Sequence, residues 1–532
     1  MLQKLFRPVL ILLAIAIVGC AKRGTISGGP KDTISPVLTS SLPKNFSTNF
    51  KGNVIRLTFD EYVKLKDVNK QLIVSPPMKY QPEVTPSNAS KYINIKIKDT
   101  LQENTTYSFN FGQSIQDNNE GIPYPQFKYV FSTGTYIDSL AIEGSIKDAL
   151  ELKTDNFVNV MLYEINDTYN DSTIYKEKPR YITNTLDSLT TFKIENIKPG
   201  TYQLIALKEK TSNYKFDPNT DRIAFYPTPI TIPTDLQPQL ELFSEIPVFK
   251  SLKPSLAGDG KLVLGYQGNP RTIKTVVKNG DEILPSVVTG IANKDSVNVW
   301  FKPVKADSLS LNVSSNDYVK DYIVKLKKAK RDTLSFSGVN SGILHPRDKF
   351  KLKSSIPIVK FDNSKINLVD KDSVAIPFTT KYNEFDMELV FDFERKPEQN
   401  YKFSILPGAM TDFFERENDS LKYSLNTRQI SEYGNLTLNL KNVKSYPLIV
   451  ELTDDNGKIL ATQYAENSPT VIFEGLNPNT FTLRVIYDTN KNGIWDTGSY
   501  LEKRQPEEVR YFNADLSVRS NWDVNETFDL GG

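Results

Sequence analysis

The sequence predicts an all-β chain of tandem β-sandwich domains in an elongated multidomain arrangement, and three observations lead to this prediction. Apolar and polar residues alternate in most stretches, as at Ile55, Leu57 and Phe59, and a period of two is typical of a strand with one buried face. Turn residues recur at a spacing of roughly ten residues, as they do in sandwiches. After the first twenty residues no long apolar stripe has a helical period.

The amino-acid composition excludes several classes of function. The chain has 532 residues, 65 Lys and Arg against 63 Asp and Glu, one His and one Cys. A formal charge of +2 gives no general affinity for nucleic acid, so no nucleic-acid partner is expected. A Cys/His zinc site and an intrachain disulfide are excluded, and a His-based triad has little room. We therefore predict a protein that is not an enzyme, has no catalytic residues and requires no cofactor.

Residues 1–19 are predicted to be a secretory signal. Lys4 and Arg7 precede an apolar run over residues 9–18, which would span only about 15 Å as a helix, half of a bilayer core. Gly19 and Cys20 follow. Residues 20–35 are rich in Gly, Ser and Pro and are predicted to be a flexible tether.

The segment from Ile17 to Cys20 (Ile-Val-Gly-Cys) resembles the lipobox of bacterial lipoproteins. The resemblance implies cleavage before Cys20 and covalent lipid, including palmitate, on that residue, which would anchor the chain to a membrane. An ordinary signal peptide with a chance cysteine is the alternative. Ala21 stands where inner-membrane lipoproteins typically have Asp, so the resemblance implies sorting to the outer membrane. Of its two faces, we expect the cell surface rather than the periplasmic side.

Two internal repeats divide the rest of the chain. Residues 67–74 resemble residues 362–369, and residues 192–204 resemble residues 471–483. Domains of about 100 residues, the size of a seven-stranded sandwich, are therefore predicted at 36–135, 136–234, 235–335, 336–428 and 429–532. The proline-rich stretch 227–238 is predicted to be a stiff connector.

Three short motifs carry a family resemblance for the first domain. The segments 41–49, 57–61 and 131–134 resemble the S-layer-type bacterial Ig-like domain, and the sequence at 197–202 resembles transthyretin-like or carboxypeptidase-regulatory sandwiches. As a whole, the chain is similar to outer-membrane lipoproteins with Ig-like domains. These relatives use their sandwiches as scaffolds and contact surfaces, so the resemblance implies no catalytic residues.

One loop has the pattern of a calcium site. Oxygen ligands at positions 1, 3, 5 and 9, Gly493 at position 6 and a backbone carbonyl at position 7 fit such a loop; the ligands would be Asp488, Asn490, Asn492, Ile494 and Asp496. Ser499 replaces the bidentate Glu at position 12, which predicts weak binding. The alternative is an Asx-rich turn that needs no metal, and the sequence fits both.

Other candidates have simpler interpretations. Asp60 and Glu61 are adjacent on one strand, so their side chains point to opposite faces and cannot converge as a catalytic pair. His345 precedes a proline and is predicted to be structural. The basic run from Lys325 to Arg331 would either contact lipid headgroups or form a charged edge that blocks strand pairing.

We therefore predict an outer-membrane lipoprotein that acts through contact, as an accessory or scaffold subunit of a complex built on a β-barrel protein. Its expected partners are outer-membrane β-barrel proteins or other envelope lipoproteins. The alternative is a surface lipoprotein that binds glycans or acts as an adhesin, which predicts two or three exposed aromatic rings on one face.

Overall fold

The computed structural model describes residues 32–185 and 190–531. The chain separates into two compact units, Met1–Ser139 and Leu140–Gly532. The prediction of an all-β chain of tandem sandwiches is confirmed, since 43 strands make up nearly all regular structure of the described residues. Within these residues no helix combines the length and apolar character needed to cross a bilayer.

The first sandwich forms the first unit. Its strands are β1 (Leu38–Leu42), β2 (Val54–Leu65), β3 (Ile73–Ser75), β4 (Glu83–Thr85), β5 (Ser90–Lys96), β6 (Thr106–Asn110), β7 (Ile115–Asp117) and β8 (Lys128–Ser132), with helix α1 at Val68–Gln71. One sheet has the order β1-β2-β5-β4, with β7 on β2, and the other has the order β3-β6-β8. The alternating residues predicted to face inward do so, because Ile55, Leu57 and Phe59 are buried between the sheets.

The second sandwich contains β9 (Leu140–Asp148), β10 (Asn159–Glu164), β11 (Tyr181–Asn184), β12 (Thr191–Ile197), β13 (Gly200–Lys208), β14 (Arg222–Phe225), β15 (Ile230–Ile232) and β16 (Gln239–Leu242), with helix α2 at Thr173–Lys176. The sheet β11-β10-β13-β14, joined by β15 on β13, packs against the sheet β12-β9-β16. Because β16 pairs in parallel with β9 and buries Leu240 and Leu242 in this core, the sandwich extends past the predicted boundary at 234. The proline-rich stretch 227–238, predicted to be a stiff connector, instead contributes β15 to this sandwich, where it pairs with β13.

The third sandwich contains β17 (Lys250–Ser251), β18 (Ser255–Gly258), β19 (Lys261–Gln267), β20 (Lys274–Asn279), β21 (Glu282–Leu284), β22 (Ser286–Gly290), β23 (Ser296–Phe301), β24 (Ser308–Ser315) and β25 (Tyr318–Lys325). Its sheets have the orders β17-β19-β23-β22, with β18 on β19, and β21-β20-β24-β25.

The fourth sandwich contains β26 (Phe336–Gly338), β27 (Gly342–Ile343), β28 (Phe350–Ser354), β29 (Ile358–Phe361), β30 (Ile366–Val369), β31 (Phe378–Asn383), β32 (Glu388–Phe393), β33 (Asn400–Ile405), β34 (Met410–Asp412) and β35 (Leu421–Asn426). Its sheets have the orders β26-β28-β32-β31 and β27-β35-β33-β30, and β29 pairs with β34. The order β30-β33-β35 matches β3-β6-β8 of the first sandwich, where the sequence repeat lies.

The fifth sandwich contains β36 (Gly434–Lys441), β37 (Leu448–Thr453), β38 (Ile459–Ala465), β39 (Thr470–Leu476), β40 (Asn479–Tyr487), β41 (Val509–Tyr511), β42 (Leu516–Val518) and β43 (Asp523–Asp529). Its sheets, β38-β37-β40-β41 with β42 on β40 and β39-β36-β43, repeat the strand order of the second sandwich. The last strand again pairs in parallel with the first. The second and fifth sandwiches therefore share one topology.

Candidate functional site

The predicted lipidation residue, Cys20, lies outside the residues that the structure describes, so the anchor stays a prediction. The predicted metal ligands all lie in the loop that joins β40 to β41 in the fifth sandwich.

The loop begins with a buried carboxylate. Asp488 is 2% exposed, and it accepts hydrogen bonds from the backbone N–H groups of Asn492 at 3.1 Å and Gly493 at 2.8 Å. The Tyr464 hydroxyl donates to the same side chain at 2.9 Å. Gly493 has a φ of 77°, a left-handed conformation that glycine adopts without strain. The carboxylate thus closes a tight Asx-type turn.

The remaining predicted ligands partner one another. Asp496 Oδ2 accepts from the side-chain amides of Asn490 at 2.6 Å and Asn492 at 2.7 Å, and Ile494 is 62% exposed. Within residues 32–185 and 190–531, no three His, Cys, Asp or Glu side chains are grouped so that they could hold a metal ion. Hydrogen bonds between groups of the protein itself therefore account for the conformation of the loop.

A second buried carboxylate closes the far end of the loop. Glu507 is 6% exposed and accepts from the Thr489 N–H at 2.7 Å and hydroxyl at 2.8 Å, and from the Asp496 N–H at 3.1 Å. Its own carbonyl accepts from the Trp495 indole at 3.1 Å. Asp488 and Glu507 together fix the two ends of the loop, and residues 495–505 lie between them.

Residues 495–505 pack on the second sandwich, and Tyr500 is the centre of this contact. Tyr500 is fully buried, its ring meets the Phe225 ring edge to face at 5.3 Å between centroids, and its hydroxyl lies 2.9 Å from that of Tyr169. Its N–H donates to the Glu245 carboxylate. A Cβ at Gly498 would lie 2.5 Å from the Phe243 ring, so only glycine permits this approach.

Polar contacts surround Tyr500. The Thr497 hydroxyl donates to the Ser244 carbonyl at 2.6 Å, and the Gln505 amide donates to the Phe225 carbonyl at 3.0 Å. The Lys503 ammonium lies 2.6 Å from Asp171 and 3.8 Å from the Tyr500 ring centroid. The contact is therefore packed and hydrogen-bonded along its length.

A second patch of the same contact is centred on Arg484, which is 3% exposed. Its guanidinium donates to Glu451 at 2.8 Å within the fifth sandwich and to the Leu150 carbonyl of the second at 3.2 Å. The Tyr511 hydroxyl also donates to the Leu150 carbonyl. Leu150 packs on the buried cluster around Ile449, Ile486 and Val509. We call the Tyr500 and Arg484 patches together the 2–5 junction.

The electrostatics of the 2–5 junction follow from its burial. Burial raises the pKa of the Tyr500 hydroxyl and of the Glu245 carboxyl, because each charged form would lose its solvation. For Arg484 burial acts in the opposite direction, but hydrogen bonds to Tyr511 and Glu451 outweigh it and raise the pKa. Arg484 is therefore a fixed buried cation that pairs with Glu451 at 2.8 Å and with Glu151 of the second sandwich at 3.6 Å.

The other residues considered from the sequence have structural contacts. Asp60 accepts the Val37 N–H at 2.8 Å. His345 is 9% exposed, and its ring lies against Tyr433. In the third sandwich, the Trp300 side chain is likewise structural, since it is 1% exposed and donates to the Thr289 hydroxyl at 2.9 Å.

Exposed aromatic rings occur on the first sandwich. Tyr62 and Tyr92 lie on the neighbouring strands β2 and β5 and are 57% and 38% exposed. The Arg56 guanidinium lies 4.0 Å from the Tyr92 ring centroid and the Lys91 ammonium lies 5.7 Å from that of Tyr62. Each ring is therefore paired with a cation, and a sugar would have to displace the cation or use the opposite ring face.

We expect the Asp488→Ala substitution to destabilise the fifth sandwich by about 2–3 kcal/mol, because it removes the buried acceptor of two backbone N–H groups and of the Tyr464 hydroxyl. The matched control is Asp496→Ala, since the partly buried Asp496 side chain accepts from the amides of two exposed asparagines, and we expect it to cost less than about 1 kcal/mol. Thermal unfolding of both variants with and without calcium is the measurement. A calcium-dependent rise in Tm that both substitutions abolish would contradict the metal-free turn.

One comparison with known protein families agrees with the fold of the first sandwich. The profile of the family described as bacterial Ig-like domain matches residues 32–133, and the first sandwich has this fold. No curated protein matches the chain.

Among solved structures, domains 1–6 of the surface layer protein SbsC are 12% identical, covering 91% of this chain and 67% of that one, with a TM-score of 0.16. The Bacteroides ovatus protein SGBP-B, of a mixed-linkage glucan utilization locus, is 10% identical, covering 71% of this chain and 91% of that one, with a TM-score of 0.19. The BSP domain of a biofilm-associated protein is 9% identical, covering 76% of this chain and 99% of that one, with a TM-score of 0.15.

Proposed function

We propose that the protein is an outer-membrane lipoprotein, held by lipid on Cys20 at the cell surface, that acts as a scaffold subunit of a membrane complex. Its partners would be an outer-membrane β-barrel protein or another envelope lipoprotein. The observation that carries the proposal is the 2–5 junction, because it fixes two sandwiches that are distant in sequence into one preformed body.

Two physical arguments support this role. A surface that is already ordered loses less conformational freedom when a partner binds, so a modest contact area suffices. A lipid anchor confines the chain to the plane of the membrane, which raises its effective concentration near a membrane partner. In addition, the buried Arg484 and the partly buried Glu245 both make hydrogen bonds between the two sandwiches, and this use of ionisable residues favours a structural role.

Crosslinking in native membranes followed by purification in mild detergent tests the proposal. We expect one membrane protein to co-purify in a fixed ratio and to crosslink to the sandwiches of the second unit. The same protein should be recovered without the crosslinker under gentle extraction. Recovery of the chain alone under both conditions would contradict a subunit role.

A further inference from the structure

The third sandwich ends in a long strand that has a neighbour on one side only. β25 runs over the eight residues Tyr318–Lys325 and is the longest terminal strand among the sheets of the described residues. All eight residues pair in antiparallel register with β24. The opposite side of β25 is an edge of the sheet, and an open edge presents main-chain groups that can pair with another strand.

The register identifies which groups face the open edge. The Leu326 N–H donates to the Asp307 carbonyl at 2.8 Å, so the even-numbered residues of β25 direct their N–H and C=O groups toward β24. The odd-numbered residues direct theirs away from it. No main-chain hydrogen bond from these residues to other parts of the described chain is present; they are Val319, Asp321, Ile323 and Lys325.

The same odd-numbered residues also share the outer face of the sheet. Ile323 is 77% exposed and Val319 is 64% exposed, whereas Val324 and the Tyr318 and Tyr322 rings pack toward the core. Asp321 lies two residues before Ile323 and Lys325 lies two residues after it. The exposed stripe thus has an apolar centre with an acid on one side and a base on the other.

This order of charges is self-complementary. If β25 pairs with a second β25 in antiparallel orientation, with Ile323 opposite Ile323, then Asp321 of each copy stands opposite Lys325 of the other. Asp321, Ile323 and Lys325 would each exchange main-chain hydrogen bonds with the residue opposite. Centring the pair on Asp321 would instead place two carboxylates opposite each other, which is unfavourable.

We propose that β25 is a homodimerisation edge, through which a second copy of this chain pairs antiparallel about Ile323 and joins the two sheets into one. The basic run that begins at Lys325 would then help to select the register of this contact and would not prevent strand pairing. A second copy is the expected partner because the charge pattern complements itself about a two-fold axis. In an isologous contact the same patch of each copy meets the other, so each residue must face its complement. The inference does not depend on the lipid anchor or on a partner in the membrane.

Cysteine crosslinking of the full-length chain tests the register. Opposite residues in such a pair have Cα atoms about 5.5 Å apart, so Ile323→Cys should give a dimer with a short bismaleimide. Val319→Cys is the matched control, since Val319 is also exposed on the same face but would be about 26 Å from its copy, given a strand rise of about 3.3 Å per residue. The unsubstituted chain controls for Cys20. Equal crosslinking at both positions, or none at position 323, overturns the proposal.

Light scattering of the full-length chain in mild detergent tests whether the open main-chain edge and the Asp321–Lys325 pairs hold the dimer together. Ile323→Pro removes an N–H that points away from β24, so the sandwich should stay folded while the dimer is lost. Asp321→Lys and Lys325→Asp should each weaken dimerisation about tenfold, because both cross-strand pairs become repulsive, and the double exchange should restore it. An unsubstituted chain that stays monomeric, or a double exchange that fails to restore the dimer, contradicts the proposal.

Discussion

The Arg484→Ala substitution is expected to destabilise the fifth sandwich by about 3–5 kcal/mol, because it leaves the buried Glu451 carboxylate without its counter-charge. The guanidinium is 3% exposed and Glu451 is 7% exposed, so water cannot replace the lost partner. The Leu150 carbonyl also loses a donor, which weakens the 2–5 junction. Urea unfolding of the full-length chain, followed by tryptophan fluorescence, to which the junction residue Trp495 contributes, measures the change.

Two comparisons separate the buried charge from the loss of an arginine as such. Arg510→Ala is the matched control, since Arg510 lies on the neighbouring strand β41 and pairs with the partly exposed Glu508 at 2.6 Å, and we expect a cost below about 1 kcal/mol. The double substitution Glu451→Met and Arg484→Met removes both charges and should recover most of the loss. Equal effects for Arg484→Ala and Arg510→Ala would show that the buried pair has no special role.

Much of the fold follows from the sequence because local pattern determines it. The alternation of apolar residues predicts which side of each strand is buried, and Leu436, Leu438 and Leu440 all lie in one core. The proline-rich stretch shows where such reasoning fails. Prolines typical of a linker are also tolerated at sheet edges, and the short strand β15 forms there because Ile230 and Ile232 fill the core of the second sandwich.

The 2–5 junction could not be predicted in this way. Its hydrogen bonds join residues more than 250 positions apart, such as Thr497 and Ser244. The periodicity of apolar residues within a strand contains no information about such a contact. The loop pattern beginning at Asp488 correctly indicates a tight turn, but the same residues suit a calcium loop and an Asx turn. Only the contacts with the second sandwich, such as that of Tyr500 with Phe225, show that the loop carries a docking segment. In retrospect, the aromatic residues Trp495, Tyr500 and Tyr511 near charged side chains were the available signal.

We expect the Cys20→Ser substitution to move the protein from the membrane fraction to the soluble fraction. Each acyl CH₂ buried in a bilayer contributes about 0.8 kcal/mol, so several chains on one cysteine hold a protein to the membrane, and serine lacks the thiol that accepts them. Fractionation of cells, followed by carbonate extraction and mass measurement of the amino-terminal peptide, gives the result. Partner capture should fall with it, because the chain loses its high effective concentration near the membrane.

Ala21→Asp is the control that separates anchoring from sorting. By the lipoprotein resemblance, this variant keeps its lipid and its membrane association but is retained in the inner membrane, so density-gradient fractions should show a change of membrane and no release. Release of both variants would indicate that the segment around Cys20 matters for a reason other than acylation. If the Cys20→Ser protein were processed at the same position and stayed with the outer membrane, the anchor and the scaffold role that depends on it would both be wrong.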